Sequence, residues 1–178
     1  MSVTKPAVVL VNLGTPDAPT TAAVRRYLKQ FLSDPRVVEA PRLIWFWVLR
    51  LIILLLRPRR VAKLYASIWQ QDSPIRLVAQ QQAEALAGRF DCTVRYAMSY
   101  GSPGFEAVLD ELADQGHDHL LILPLYPQYS GSTNGAVADA LARWVRTRRE
   151  VPGLTLVKDY WQNPAWLDAV ADSIRRFR

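Results

Sequence analysis

The chain has 178 residues, of which 50% are apolar and 21% charged, a composition typical of one well-packed domain that excludes a disordered chain. Part of its net charge of +6 lies in three separated basic runs, at residues 57–60, 143–149 and 175–178, which does not predict a nucleic-acid-binding stripe and equally suits an acidic small molecule or an anionic membrane surface. The single cysteine, Cys92, excludes an internal disulfide framework and a multi-cysteine zinc site, and fits a reducing cytosol.

Residues 7–13 are the first of four β-rich runs along the chain. The run is continuously apolar and ends at Gly14, a pattern typical of a strand buried on both faces of a sheet. The N-terminus contains no long apolar run that ends in a small-residue cleavage site, so no secretory signal is predicted. A helix is predicted over residues 20–32, where apolar side chains recur on one face.

Residues 43–56 contain thirteen apolar residues and one arginine, and a basic run follows. As a helix they would be about 21 Å long, shorter than the roughly 30 Å hydrocarbon core of a bilayer, and Arg50 would lie near mid-depth. A membrane-spanning helix is therefore not predicted. A buried core helix is the simplest alternative, but consecutive Trp45, Phe46 and Trp47 favour a partly exposed lip or an in-plane membrane contact.

The rest of the chain alternates helical and β-rich patterns. Ser73 is the predicted N-cap of a helix that ends at Gly88. Further strands are predicted over 92–100, 119–126 and 154–160, and helical spacing recurs within 105–112, 137–145 and 166–177. This alternation predicts an α/β fold, a Rossmann-like and mostly parallel sheet with helices on both faces. Because such sheets bind ligands at the carboxyl ends of their strands, the loops after residues 13, 100 and 126 form the predicted functional rim.

The three rim loops differ in their chemistry. The first is a tight turn without the glycine pattern of a phosphate loop or a dinucleotide fingerprint. The second places the hydroxyls of Ser99 and Tyr100 at a strand end, although Tyr100 also fits a core position, and no Gly-x-Ser-x-Gly elbow supports a serine hydrolase. The third favours a large planar ligand that carries carboxylates. It combines two tyrosines with small hydroxyl side chains at a predicted helix N-terminus: Tyr126, Tyr129, Ser130, Ser132 and Thr133.

No proton-handling group is visible on this rim. His117 and His119 fall at the amino end of the third predicted strand, opposite the rim, and are interpreted as solvated loop residues rather than as a metal pair. Cys92 begins the second strand at that same end, and Asp159 is a lone carboxylate. The sequence therefore predicts a ligand platform without a catalytic base or a metal site in this chain.

Four blocks in collinear order resemble the ferrochelatase family of Gram-negative bacteria: "VNLGTPDAPTTAAVRRYLKQFLSDPRVVEAPR", "RPRRVAKLYASIWQQDSPI", "MSYGSP" and "LPLYPQYSGSTNGAVADAL". The resemblance runs from about residue 7 to the C-terminus, and it includes "YPQYS", part of one of the family's most specific motifs. It implies a lyase of the metal-chelatase kind that inserts ferrous iron into protoporphyrin IX in heme biosynthesis. It also implies a cytoplasmic location, with a peripheral position at the inner membrane as the alternative.

The family fold is two similar Rossmann-like domains that clamp the porphyrin between them. By this resemblance, residues 1–178 are the N-terminal domain, residues 43–60 are its lip, and the C-terminal domain is absent from this chain. Porphyrin, the membrane surface and that C-terminal domain are the expected partners, and nucleic acid is not. The resemblance assigns Leu13 to the porphyrin centre, Arg57 and Ser73 to propionates, Ser99 and Tyr100 to the pocket wall, Tyr126 and Ser130 to the third loop, and Trp45, Phe46 and Trp47 to the lip.

The sequence departs from the family pattern in two ways. Some members hold an iron–sulfur cluster, one ligand of which is a cysteine where this chain has Gly131, so no cluster is expected. The family's essential histidine and its partner glutamate would both fall beyond Arg178, so no catalytic residue is expected here. The isolated chain should then bind porphyrin weakly and insert no metal.

Two alternatives remain open from the sequence. A short chelatase that pairs two identical domains carries a histidine just after its first strand, whereas the equivalent stretch here, "NLGTP", contains none. A non-catalytic tetrapyrrole-binding or membrane-docking module is the second alternative, and it would use the same platform without the chemistry.

Overall fold

The computed structural model describes residues 6–177. The first part of the N-terminus considered for a secretory signal, and the last arginine of the basic run at 175–178, lie outside the described residues. The elements in chain order are β1 (Ala7–Thr15), α1 (Thr21–Leu32), α2 (Arg42–Val48), a π-helical segment (Leu49–Ile53), α3 (Leu54–Ile68), α4 (Pro74–Ala87), β2 (Thr93–Gly101), α5 (Phe105–Asp114), β3 (His119–Pro124), a second π-helical segment (Gly131–Gly135), α6 (Ala136–Thr147), β4 (Gly153–Leu156) and α7 (Pro164–Arg176).

The four strands form one parallel sheet in the order β2-β1-β3-β4. Strand β1 is central, and the side chains of Val9, Leu10 and Val11 are completely buried on its two faces, as a continuous apolar run predicts. Helices α5 and α6 cover one face, where Trp144 is the largest fully buried side chain. Helix α4 packs against the other face around Leu10. The predicted α/β fold with helices on both faces of a parallel sheet is therefore confirmed.

Strands β3 and β4 are shorter than the sequence pattern predicts. Strand β3 ends at Pro124 instead of residue 126, and β4 ends at Leu156 instead of residue 160. The Val157 amide still donates to the Ile122 carbonyl at 2.9 Å. Pro124 then has no N–H with which to continue the ladder, so the edge strand stops.

Residues 42–68 form one long helical stretch that contains the first π-helical segment and Pro58. Its inner side packs onto α1 through Leu49, Ile53 and Leu54. Its outer side is open: Leu43 is 75% and Leu56 71% exposed. The stretch is thus partly exposed and is not a core helix. Among the residues that the structure describes, no helix is both long and apolar enough to cross a membrane.

Candidate functional site

The rim is built where the ends of β1 and β2 lie unusually close together. Gly14 and Gly101 both have positive φ angles, 115° and 90°. A Cβ atom at Gly14 would overlap the carbonyl oxygen of Tyr100, and one at Gly101 would overlap that of Thr15. Glycine is therefore required at both positions, by the backbone conformation and by the lack of space for a side chain. The two strands hold the rim loops rigidly side by side.

Three residues predicted for the site come from neighbouring strand ends of this rim. Asn12 pairs with Met98 and Gly14 with Tyr100, so Leu13 lies opposite Ser99 across the β1–β2 pair. Tyr126 comes from the far side of β1, just after β3, and its hydroxyl lies near that of Ser99. An apolar side chain thus lies between two hydroxyl-bearing strand ends.

The Tyr126 hydroxyl is the notable polar group of the site. It is buried, and the Ser99 hydroxyl is close enough to affect its pKa but forms no hydrogen bond with it within 3.5 Å and ordinary angles. Burial raises its pKa well above the usual range, while the neighbouring Ser99 hydroxyl acts in the opposite direction. The group therefore stays protonated and is available as a hydrogen-bond donor.

Tyr100 is buried at 5% exposure and also faces a cavity. Its hydroxyl donates to Asp34 at 2.7 Å, and the other oxygen of that carboxylate accepts from the Arg36 amide at 2.8 Å. Burial, with the Asp34 hydrogen bond, raises the pKa of Tyr100 far above its ordinary value. Ser99 and Tyr100 line this cavity of about 440 Å³ together with Gln30, Glu106 and Arg143.

Sequence reasoning missed two polar residues that shape the rim from α1 and the loop after it. Tyr27 donates to the Gly14 carbonyl at 3.4 Å, and burial raises its pKa, with further contributions from Tyr65 and Tyr126. Asp34 is the partner of Tyr100, 66 positions later. The only sequence signal for Tyr27 was its place on the apolar face of the predicted helix, which is equally typical of a core residue.

The third loop forms a separate cavity of about 410 Å³, lined by Tyr126, Tyr129, Ser130 and Thr133 among others. The amides of Thr133 and Gly135 donate to the Ser130 carbonyl at 3.3 and 3.1 Å. The amides of Thr133 and Gly135 are therefore engaged within the π-helical turn and are not available to an anion. The hydroxyls of Ser130 and Ser132 lie 3.1 Å apart and face outward.

Ser73 and Arg57, both predicted to meet propionates, differ in burial and in partners. Ser73 occupies the N-cap position of α4 as predicted, but its hydroxyl makes no capping bond. It is 2% exposed and accepts a 2.8 Å hydrogen bond from the Thr15 hydroxyl, which anchors the first rim loop to α4. Arg57 is exposed on α3 and forms no ion pair with a described residue.

The three aromatic residues predicted for the lip do not share one environment. Phe46 is 41% and Trp47 53% exposed, and their rings meet edge to face. Trp45 is half-buried, and its indole N–H donates to the Leu32 carbonyl at 2.7 Å. The Trp45 hydrogen bond therefore holds the lip against α1, whereas Phe46 and Trp47 expose apolar surface to solvent.

The two histidines lie at the opposite end of the sheet from the rim, as predicted. His119 begins β3, and its ring Nε2 lies 3.0 Å from the Thr155 hydroxyl. Within residues 6–177 no group of three or more acidic, histidine or cysteine side chains could hold a metal ion. The rim thus offers tyrosine and serine hydroxyls that can bind and orient a ligand, and the carboxylates of Asp34 and Glu106 line the cavity beside Ser99 and Tyr100.

Known proteins that are similar to this chain belong to one family. The family model described as ferrochelatase matches residues 5–177. Proteins named ferrochelatase are similar along nearly the whole chain: one from Psychrobacter sp. (strain PRwf-1) is 54% identical over 97% of this chain and 53% of its own length. One from Acinetobacter baumannii (strain ACICU) is 48% identical over 98% of the chain and 54% of its length. One from Escherichia coli O139:H28 is 53% identical over 98% and 55%. The chain spans about half the length of the curated relatives it matches.

Proposed function

The chain belongs to the ferrochelatase family, and we propose that it supplies the porphyrin-binding half of an enzyme that inserts ferrous iron into protoporphyrin IX in heme biosynthesis. The single observation that carries this proposal is the buried Tyr126 hydroxyl near Ser99 at the strand ends of the rim. A buried hydroxyl without a partner costs roughly 1–3 kcal/mol, and a polar group of a bound ligand would remove that cost.

The residues at the centre of the rim would then have distinct tasks. Leu13 would press on the middle of the macrocycle, because it is the apolar side chain between the two hydroxyl-bearing strand ends. Ser99 and Tyr126 would donate hydrogen bonds. The Tyr100 hydroxyl would hold its wall in place through Asp34, since its own hydrogen bond is already made. Rigid walls of this kind can strain a planar substrate towards the geometry in which metal enters.

The charged and apolar edges of the site would bind the two ends of the porphyrin. Arg57 would pair with a propionate, since it is exposed and has no carboxylate partner among the described residues. The Ser73 hydroxyl accepts a hydrogen bond from the Thr15 hydroxyl. Ser73 would therefore bind a propionate only if its side chain moved. The lip would contact the membrane surface, from which a hydrophobic substrate could enter. Gly131 leaves no cluster ligand in the third loop, and we propose that this chain holds no iron–sulfur cluster.

The proton acceptor for the pyrrole nitrogens would come from a C-terminal domain equivalent to the remaining half of the relatives. Helix α7 is the surface we propose for contact with that domain. It has no buried residue, and one face exposes Leu167, Val170 and Ile174. Burying such a face is the usual role of an amphipathic helix in a larger fold.

A titration with two porphyrins tests this assignment. The full chain should bind protoporphyrin IX more tightly than its dimethyl ester, which lacks the propionate charges. Arg57→Gln should lower the affinity for the free acid about tenfold, the effect of losing one charge-assisted hydrogen bond, and should not change that for the ester. Arg146→Gln on α6 is the charge-matched control. Failure of the chain to bind either porphyrin would contradict the proposed function, and equal loss for both porphyrins would contradict the role of Arg57.

A further inference from the structure

A third cavity lies behind the lip, apart from the strand ends of the rim. Its volume is about 470 Å³, and it opens between the end of α1, the loop after it and the first turns of the lip. Ser33 and Pro35 line both this cavity and the one at Tyr100, so the turn that contains them separates the two. We call it the lip cavity.

The walls of the lip cavity carry an excess of positive charge. Lys29, Arg42 and Arg50 line it, with Glu39 as the one carboxylate. None of these four side chains forms an ion pair with another residue of the described chain, whereas Arg26, Arg36 and Arg76 elsewhere are paired. The charge is therefore not neutralised from within, and an anion from outside would be attracted to it.

The same cavity also has an aromatic and apolar side. Trp45, Phe46 and Leu49 line it, and the Arg50 guanidinium carbon lies 3.8 Å from the centre of the Phe46 ring. This stacking fixes the plane of the guanidinium, while its edge remains able to donate to an oxyanion. Phe46 in turn meets the exposed Trp47 at a ring distance of 5.3 Å, so the apolar wall continues directly onto the outer face of the lip.

We propose that the lip cavity binds the phosphate of an anionic phospholipid headgroup. Two arginines match the geometry of a phosphate, which accepts paired hydrogen bonds from a guanidinium fork. The continuous apolar surface from Phe46 to Trp47 would lie along the acyl chains, at the depth where aromatic side chains concentrate in membrane proteins. A free phosphate would use the arginines but would gain nothing from that surface. The inference rests on the proposed membrane contact of the lip and adds a headgroup preference to it.

The test compares binding of the full chain to vesicles of phosphatidylcholine alone and to vesicles that also contain phosphatidylglycerol. The double variant Arg42→Lys, Arg50→Lys keeps the charge but loses the guanidinium fork. It should lower affinity for the phosphatidylglycerol vesicles about tenfold. Binding to phosphatidylcholine should change much less, because its choline cation neutralises the same phosphate. The matched control, Arg146→Lys with Arg149→Lys, changes two exposed arginines outside the lip and should change neither. Glu39→Gln should raise affinity for phosphatidylglycerol about fivefold, because it removes the opposing charge.

Each result separates this inference from the proposed function. Equal binding of the wild-type chain to both vesicles would overturn the headgroup site and leave the membrane contact intact, whereas no binding to either would remove both. Equal losses in the two lysine variants, or no loss in either, would also overturn the site, since diffuse attraction depends on charge alone. If inorganic phosphate, at a concentration equal to that of the lipid phosphate, displaces the chain from the vesicles, the lipid assignment is wrong. If the chain stays bound to the vesicles, the assignment is supported. Circular dichroism melts of every variant establish that the fold is retained.

Discussion

Replacing Tyr126 by phenylalanine should stabilise the isolated chain while weakening its binding of porphyrin. The hydroxyl is buried without a hydrogen-bond partner in the described part of the chain, so its removal relieves part of a desolvation cost of about 1–3 kcal/mol. We expect the free energy of unfolding to rise by about 1 kcal/mol, equivalent to about 2–4 °C in Tm for a domain of this size. Affinity for protoporphyrin IX should fall about two- to tenfold, the value of one neutral hydrogen bond.

The matched control is the same substitution at Tyr100. Its hydroxyl donates to the Asp34 carboxylate at 2.7 Å, and a hydrogen bond to a charged group contributes about 1.5–3 kcal/mol. Tyr100→Phe should therefore lower the free energy of unfolding by about 2 kcal/mol. Urea unfolding followed by circular dichroism measures both variants, and porphyrin absorbance measures binding. If Tyr126→Phe destabilises the chain as much as Tyr100→Phe does, the hydroxyl has a partner and the reasoning fails.

Three further predictions follow from single contacts. Trp45→Phe should lower Tm, since the hydrogen bond from the indole N–H to α1 is lost. Trp47→Ser should leave Tm unchanged and reduce vesicle binding. Equal losses of Tm in the two variants would contradict this prediction. Gly14→Ala should prevent a cooperative urea transition, because its Cβ would overlap the backbone of β2. Hydrogen bonds from Arg36 hold the pKa of Asp139 below its usual range, so the ionised pair stabilises the fold above the ordinary carboxyl pKa of about 4. Asp139→Asn should then be less stable than wild type at neutral pH, and the difference should disappear as the pH falls through the lowered pKa; a difference that persists in acid would refute the linkage.

The sequence predicts the layers of the fold well because the spacing of apolar residues in each element depends on which of its faces are buried. A strand buried on both faces is a continuous apolar run, and β1 and β2 begin and end within two residues of their predicted bounds. The helices follow from apolar spacing in the same way. The edge strand β4 is less well predicted, since its length depends on the partner β3, whose ladder stops at Pro124.

Side-chain partners that lie far apart in the sequence could not be predicted. Ser73 has the composition and position of an N-cap, yet its hydroxyl bonds Thr15, 58 positions earlier. Likewise, nothing local indicates that Trp45 is turned towards α1 while Trp47 faces outward. Both outcomes depend on how elements that are distant in the sequence pack together, and that packing is set by the whole structure. The rim itself was predictable because parallel strands bring their carboxyl ends together by topology alone.

Iron insertion by the full chain is the measurement that tests the central claim most directly. Under anaerobic conditions with ferrous iron and protoporphyrin IX, we expect the absorbance change of porphyrin binding but no heme formation above the protein-free rate. The described rim offers protonated tyrosines and no histidine, and His117 and His119 lie at the other end of the sheet. Turnover that persists when both histidines are replaced by alanine would contradict the account, because the base would then lie on this chain's own rim.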